Sequence, residues 1–226
     1  MARREFQEQL NDLREDVLYM SEVALERLRM GLDALDRKDE DLAWEVIRGD
    51  DEVNELYLDL EQNCIELLAL QQPVAGDLRF IAASFKILTD LERIADLATN
   101  LGDYTLEAKR DVYPEVDVQG IGDSVIEMVG DAMDAYANED VDACFEIDDR
   151  DDEVDEMCET ASSRIVRELI ETEFEEGDSE VEIEQLLSEV SRILLTIRDL
   201  ERVGDHAVNI AARTLYMVEN DDALIY

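Results

Sequence analysis

Apolar residues recur along this chain at steps of three and four. The first run is Phe6, Leu10, Leu13, Val17, Met20, Ala24, Leu28, Leu32 and Leu35. That spacing places them on one stripe of a single long helix. A second stripe follows the polar run Asp36-Arg37-Lys38-Asp39 and comprises Leu42, Val46, Val53, Leu56, Leu60, Cys64 and Leu67. Its helix is expected to end near Gln71-Gln72, where Pro73 suits the first turn of the next one. A third stripe runs Leu78, Ile81, Phe85, Leu88 and then Ala95. The periodicity stops at Val112-Tyr113-Pro114-Glu115, the best candidate linker. Three more helical segments are expected after Gly120, at 121–137, 140–174 and 179–219. Asn138-Glu139-Asp140 and Glu176-Gly177-Asp178 separate them. No alternating strand pattern occurs, so the expected fold is all-α with six long helices.

The two halves of the pattern repeat. Between residues 33–55 and 134–156, offset by 101, 10 of 23 positions are identical. They include Asp39/Asp140, Glu45/Glu146 and the run Asp50-Asp51-Glu52-Val53 against Asp151-Asp152-Glu153-Val154. Acid-rich chains produce such matches by coincidence, so a second stretch carries weight. Residues 90–101 and 199–210, offset by 109, share 7 of 12 positions through Asp90-Leu91-Glu92-Arg93 and Asp199-Leu200-Glu201-Arg202. The chain therefore reads as a tandem duplication of a three-helix unit. Three antiparallel helices with apolar stripes close into a bundle. The expected domains are a first bundle over 1–111, a linker over 112–120 and a second bundle over 121–226. The two are expected to form an elongated pair related by a pseudo-twofold.

Charge adds the next constraint. The 226 residues hold 61 Asp+Glu against 20 Lys+Arg, a formal net charge of −41. Such a surface repels nucleic-acid phosphates and anionic lipid headgroups, so neither is an expected partner. Self-repulsion strains the compact state in dilute salt. At molar salt the Debye length falls to about 3 Å and the strain is screened. The composition thus points to a halophilic, salt-accumulating source, with metal buffering by an acidic surface as the alternative. Cys64, Cys144 and Cys158 are odd in number and lack CxxC spacing, so they read as free thiols in a reducing compartment. The start Met1-Ala2-Arg3-Arg4-Glu5-Phe6 has no apolar core of a signal peptide, and no run approaches the ~20 apolar residues of a membrane span. The expected location is cytoplasmic, without membrane insertion.

Candidate chemistry lies in carboxylates at core positions. The seam 78, 81, 85, 88 arrives next at Glu92, where a leucine would be expected, and Asp96 lies on the same face four residues on. Glu201 and Asp205 form the matching pair in the second half. Equivalent acidic turns on the second and fifth helices hold Asp50/Asn54 and Asp151/Asp155. Unpaired carboxylates on facing helices raise one another's pKa and need cations. Two readings stay open: oxygen ligation of a metal, or a structural network with Arg79, Arg93, Arg198, Arg202 and Arg213. The lone histidine, His206, invites a phosphotransfer reading, but its counterpart is the apolar Leu97. There is no nucleophile elbow, P-loop or dinucleotide fingerprint, so no enzyme activity is expected.

At Leu70-Gln71-Gln72-Pro73-Val74-Ala75-Gly76-Asp77-Leu78-Arg79 and Asp90-Leu91-Glu92-Arg93-Ile94-Ala95-Asp96, repeated as Asp199-Leu200-Glu201-Arg202-Val203-Gly204-Asp205-His206, the sequence resembles the PhoU family over nearly its whole length. The resemblance implies a regulator that restrains phosphate uptake through the Pst transporter, with its cytoplasmic ATPase subunit and a sensor kinase as partners. It also implies a homodimer, and iron or zinc in multinuclear clusters on E/D-xxx-D turns. By that pattern Glu92, Asp96, Glu201, Asp205, Asp151 and Asp155 match the ligand motif. Asp50 matches too, but Asn54 replaces its second acid. That departure puts a full cluster in the first bundle in doubt.

Overall fold

The structure, a computed structural model, describes residues 2–71, 73–108, 116–171 and 180–225. Seven helical segments follow one another: α1 (Ala2–Arg37), α2 (Glu40–Arg48), α3 (Asp50–Gln71), α4 (Ala75–Glu107), α5 (Val118–Asn138), α6 (Val141–Glu171) and α7 (Glu180–Glu219). They realise the six expected helices, the second being interrupted at Gly49. The Gly49 amide still donates to Glu45 and Val46, so α2 and α3 remain two legs of one rod. A side chain at Gly49 would run into the Arg27 guanidinium, which ion-pairs with Glu52 at 3.0 Å. Of the linker expected over 112–120, residues 112–115 lie outside the described residues, and α5 already begins inside the rest at Val118.

The duplication extends to turn geometry. Lys38 (φ 52°) and Glu139 (φ 56°) both adopt left-handed backbone between a helix and its successor. The next residues, Asp39 and Asp140, both donate their amides 3.0 Å to Ala34 and Ala135. Their side chains then accept the amides of Leu42 and Ala143, satisfying an orphan donor at each helix start.

The first bundle packs α1, α2/α3 and α4; the second packs α5, α6 and α7. The bundles meet through α4 against α7 and α1 against α5. Each of these elements meets its own counterpart, which is the signature of a pseudo-twofold arrangement. The 40 residues of α7 make a rod of about 60 Å. One apolar core runs through both bundles, with Leu28, Leu88, Leu91, Met128 and Ile147 fully enclosed. Every residue of the first stripe is buried except Leu35 at its end. Leu78 departs from expectation: it belongs to the stripe but stays 47% exposed. It sits in the first turn of α4, where Val74 is also exposed and a Cβ added at Gly76 would meet nothing within 4 Å.

Polar contacts pin the bundle interface. Tyr136 of α5 is wholly buried, hydrogen-bonds Ser84 of α4 at 2.7 Å and stacks on Phe80. Arg14 of α1 lies 5.0 Å over the Phe80 ring and donates to the Ala137 carbonyl and Glu139 of the other bundle.

Candidate functional site

The expected acids come together as facing pairs. In the second bundle Asp151 and Asp155 lie one turn apart on α6, opposite Glu201 and Asp205 on α7. Asp151 and Glu201 are half-buried, and Asp155 and Asp205 are exposed. Burial raises the Asp151 carboxyl to about 7, with Asp155, Asp205, Asp148 and Asp152 adding to the effect. Glu201 is raised by burial and then by Asp155 and Asp205. Asp155 is raised by burial, Asp205 and Asp152. One oxygen of Asp151, Oδ1, is buried and accepts no hydrogen bond. Gly204 of α7 passes so close that a Cβ there would sit 2.9 Å from that oxygen. A glycine is therefore what lets α7 approach the acidic turn.

The first bundle repeats the layout with different chemistry. Asn54 donates its amide to Asp50 at 2.9 Å, and the Thr99 hydroxyl of α4 reaches the other Asp50 oxygen at 3.5 Å. The acid that Asn54 replaces has become a donor that satisfies the remaining one. Glu92 is raised by burial and Asp96, pulled back by Arg93, raised again by Asp50 and lowered by His206. Asp96 is raised by burial and Asp50, and lowered by Arg202 and Arg93. Two of the groups that lower these acids, Arg202 and His206, come from α7 of the other bundle. The sites are thus electrostatically unequal. The first is partly neutralised across the interface, whereas the shifts at the second arise from burial and acids alone.

Neither open reading of the acids is realised as a closed structure. Among the described residues, no three His, Cys, Asp or Glu side chains converge as a ready metal cage. Nor does any arginine or lysine there ion-pair with Glu92, Asp96, Asp151, Asp155, Glu201 or Asp205. Three of the five arginines expected to do so bond elsewhere. Arg198 and Arg202 reach Asp199 at 3.3 and 3.5 Å, Arg79 donates to the Met217 carbonyl, and Arg213 Nε is buried without an acceptor. The second-bundle acids suit a hard or borderline cation on the strength of their donor set and the orphaned Asp151 oxygen. The first-bundle set suits it less, because Asp50 is already satisfied.

Both halves of the sequence match the PhoU domain, over residues 17–105 and 118–214. The chain belongs to the PhoU family. A phosphate-specific transport system accessory protein PhoU homolog from Clostridium acetobutylicum is 30% identical over 221 residues, covering 96% of each chain. A homolog of the same description from Pseudomonas aeruginosa is 33% identical over 222 residues, covering 97% of this chain and 87% of its own. The crystal structure of PhoU from Pseudomonas aeruginosa superposes with a TM-score of 0.86 at 32% identity, over 96% of this chain and 100% of that one. The phosphate transport system regulatory protein PhoU from Streptococcus pneumoniae also reaches 0.86, at 25% identity, over 96% and 98%. No helix among the described residues is long and apolar enough to cross a membrane.

In this PhoU-family chain, sequence reasoning missed the residues that tie the two acidic sites together. They are the first aspartates of the duplicated Asp-Leu-Glu-Arg motifs. Asp90 bonds His206 Nδ1 at 2.9 Å, both side chains buried, directly across α4 and α7. Asp199 has no histidine to meet, since the counterpart of His206 in the first half is the apolar Leu97. It accepts instead from Asn100 at 3.1 Å and the Tyr104 hydroxyl at 2.8 Å, both on α4. Asp199 is 1% exposed, and burial with its carboxylate pushes the Tyr104 hydroxyl up to about 12. His206 is therefore a buried link between bundles, which leaves the phosphotransfer reading without an accessible imidazole. The available signal was the repetition of the aspartate itself two residues before each candidate ligand pair.

Proposed function

We propose that this chain is the regulatory accessory protein of a Pst-type phosphate transporter. On this reading it restrains uptake when phosphate is plentiful by docking on the transporter's cytoplasmic ATPase subunit, and it informs an associated sensor kinase. The observation that carries the reading is the match of both bundles, over nearly the whole chain, to accessory proteins of that transport system. The chain acts by binding rather than catalysis, in the cytoplasm of a halophilic, salt-accumulating organism. A homodimer forms only where salt screens the −41 charge. The direct test is phosphate uptake in phosphate-replete cells lacking the gene. Uptake should rise on deletion and return to its restrained level on complementation; unchanged uptake would sink the reading.

The orphaned Asp151 oxygen favours a second element of the same proposal. Asp151, Asp155, Glu201 and Asp205 would hold iron or zinc, whose charge would neutralise the facing turns of α6 and α7. Glu92, Asp96 and Asp50 would form the weaker site. Metal analysis of protein purified in high salt should find the metal lost in Asp151→Ala/Glu201→Ala but largely kept in Glu92→Ala. Equal loss in both variants, or no metal in the unaltered protein, would remove this element.

A further inference from the structure

We propose that Trp44 and Phe145 are twin docking anchors for a partner that is itself a two-fold dimer with one basic surface per subunit. The inference rests on the regulatory reading above, whose ATPase subunit it takes as the occupant. It is independent of any metal.

Aromatics make up only 6% of the chain, with one Trp, five Phe and seven Tyr. Trp44 on α2 and Phe145 on α6 occupy the same position of the 101-residue repeat. They are exposed to nearly the same extent, 44% and 41%. Each stands five residues after its N-capping aspartate, Asp39 or Asp140, in turns that repeat down to the left-handed residue. The buried neighbours repeat as well: Ala43 and Val46 in one half, Cys144 and Ile147 in the other. Core demands therefore fix the inward residues of both helices, but they do not ask for an aromatic ring facing outward. A lone exposed aromatic is ordinary. The same exposed aromatic position in both halves, held by the same cap geometry, is a duplicated surface feature.

The surroundings specify the partner's charge. Asp41 and Asp51 lie on the face of Trp44, three residues before and seven after; Asp142 and Asp152 lie likewise beside Phe145. All four are exposed. An aromatic anchor inside an acidic rim fits an apolar pocket bordered by Lys or Arg. The Trp44 ring already carries a cation, with the Arg48 guanidinium 5.5 Å from its centroid. Asp149 replaces Arg48 in the repeat, so at Phe145 the corresponding cation would come from the partner. A second copy of this chain fits poorly, since it brings the same acidic rim and the same −41 charge. The pseudo-twofold then sets the partner's symmetry. Two equivalent anchors on one rigid chain are engaged together by a partner whose own surfaces are related by a matching twofold.

The experiment measures binding and stoichiometry of the purified ATPase subunit from the same organism with the full chain. It is run at a salt concentration where circular dichroism shows every variant folded. The unaltered chain should bind two ATPase subunits. Trp44→Ala and Phe145→Ala should each weaken binding about 30-fold, the scale of an aromatic anchor, and the double variant should abolish it. Tight binding unchanged in both single variants would overturn the anchors while leaving the regulatory reading intact. A complex with one ATPase subunit, lost in only one variant, would overturn the twin arrangement. No binding by the unaltered chain would overturn this occupant together with the docking step of the regulatory reading.

Discussion

The acids around the Asp151 carboxyl are Asp155, Asp205, Asp148 and Asp152, and one of its oxygens accepts no hydrogen bond. Its ionised form is therefore disfavoured in the folded chain, by burial first and by like charge second. The consequence for metal-free protein has a definite sign. The folded carboxyl titrates near 7 against 3.8 for the ordinary group. Between those values the folded state binds more protons than the unfolded one, so stability falls as pH rises through that window. The full value of such a shift is about 4 kcal/mol, which solvent screening at this half-exposed group reduces to about 1–2 kcal/mol. Asp151→Asn removes the ionisation. In chelator, urea unfolding should find the variant more stable by about 1–2 kcal/mol at pH 8 and no better than the unaltered chain at pH 4. Equal stabilities at pH 8 would show that the site relaxes its own repulsion. The three thiols carry no such burden of function. Cys64, Cys144 and Cys158 are free and buried, and burial pushes them to about 12, 11 and 12.

Helix contacts in this molecule are set by where side chains are missing. A Cβ at Gly102 of α4 would meet the Ile47 side chain at 3.0 Å and the Ala43 carbonyl at 3.1 Å, so α2 and α4 touch almost backbone to backbone. The carbonyl cannot swing aside as a side chain can. Gly102→Ala is expected to cost about 1–3 kcal/mol of stability by forcing those helices apart. Gly130, inside α5 with nothing within 4 Å, is the control: Gly130→Ala should add about 0.5–1 kcal/mol through helix propensity. Denaturant midpoints moving in the same direction for both would show that the α2–α4 contact is not the tight one. These contacts also mark how far periodicity reaches. A 3.6-residue stripe states which face of a helix is apolar, which is why the helices, the duplication and the misplaced Glu92 were legible. It does not state where the covering helix stops, and so Leu78 reads as core although the first turn of α4 is bare. Nor does it state which neighbour a face meets. Asp90 and Asp199 sit in the duplicated motif, but their partners lie on the other bundle, more than 90 residues away, as His206 and as Asn100 with Tyr104. The facing acids were legible as pairs because each pair is local to one helix. Their inequality was legible only at Asn54, since the contributions of Arg202 and His206 to the first site arrive through tertiary packing.

At the scale of the whole molecule the charge decides the conditions under which the fold is stable. Two bundles of 226 residues carry a net −41, and much of the acid lies on outward faces of α1, α3 and α6. Ion pairs such as Arg27 with Glu52, Arg14 with Glu139, and Arg150 with Glu127 and Asp131 relieve only part of it. Repulsion among the remaining acids acts over about 10 Å at 0.1 M salt and about 3 Å at 1 M. Unfolding spreads the charges and relieves it, so low salt favours the unfolded chain. The denaturation midpoint in urea should therefore climb with KCl across this range. A rise alone would not identify screening, because salts also strengthen apolar burial. The distinguishing variant neutralises six exposed acids of α6, Asp142, Glu146, Asp149, Asp152, Glu153 and Glu156, as Asn or Gln. If screening governs stability, this variant gains most at 0.1 M KCl, gains little at 2 M, and shows a flatter midpoint-against-salt slope. If apolar burial governs it, the slope is unchanged and the two proteins remain parallel. The variant also keeps Phe145 while stripping two acids, Asp142 and Asp152, from its rim, so weakened ATPase binding in well-folded protein would assign the loss to charge complementarity rather than to the fold.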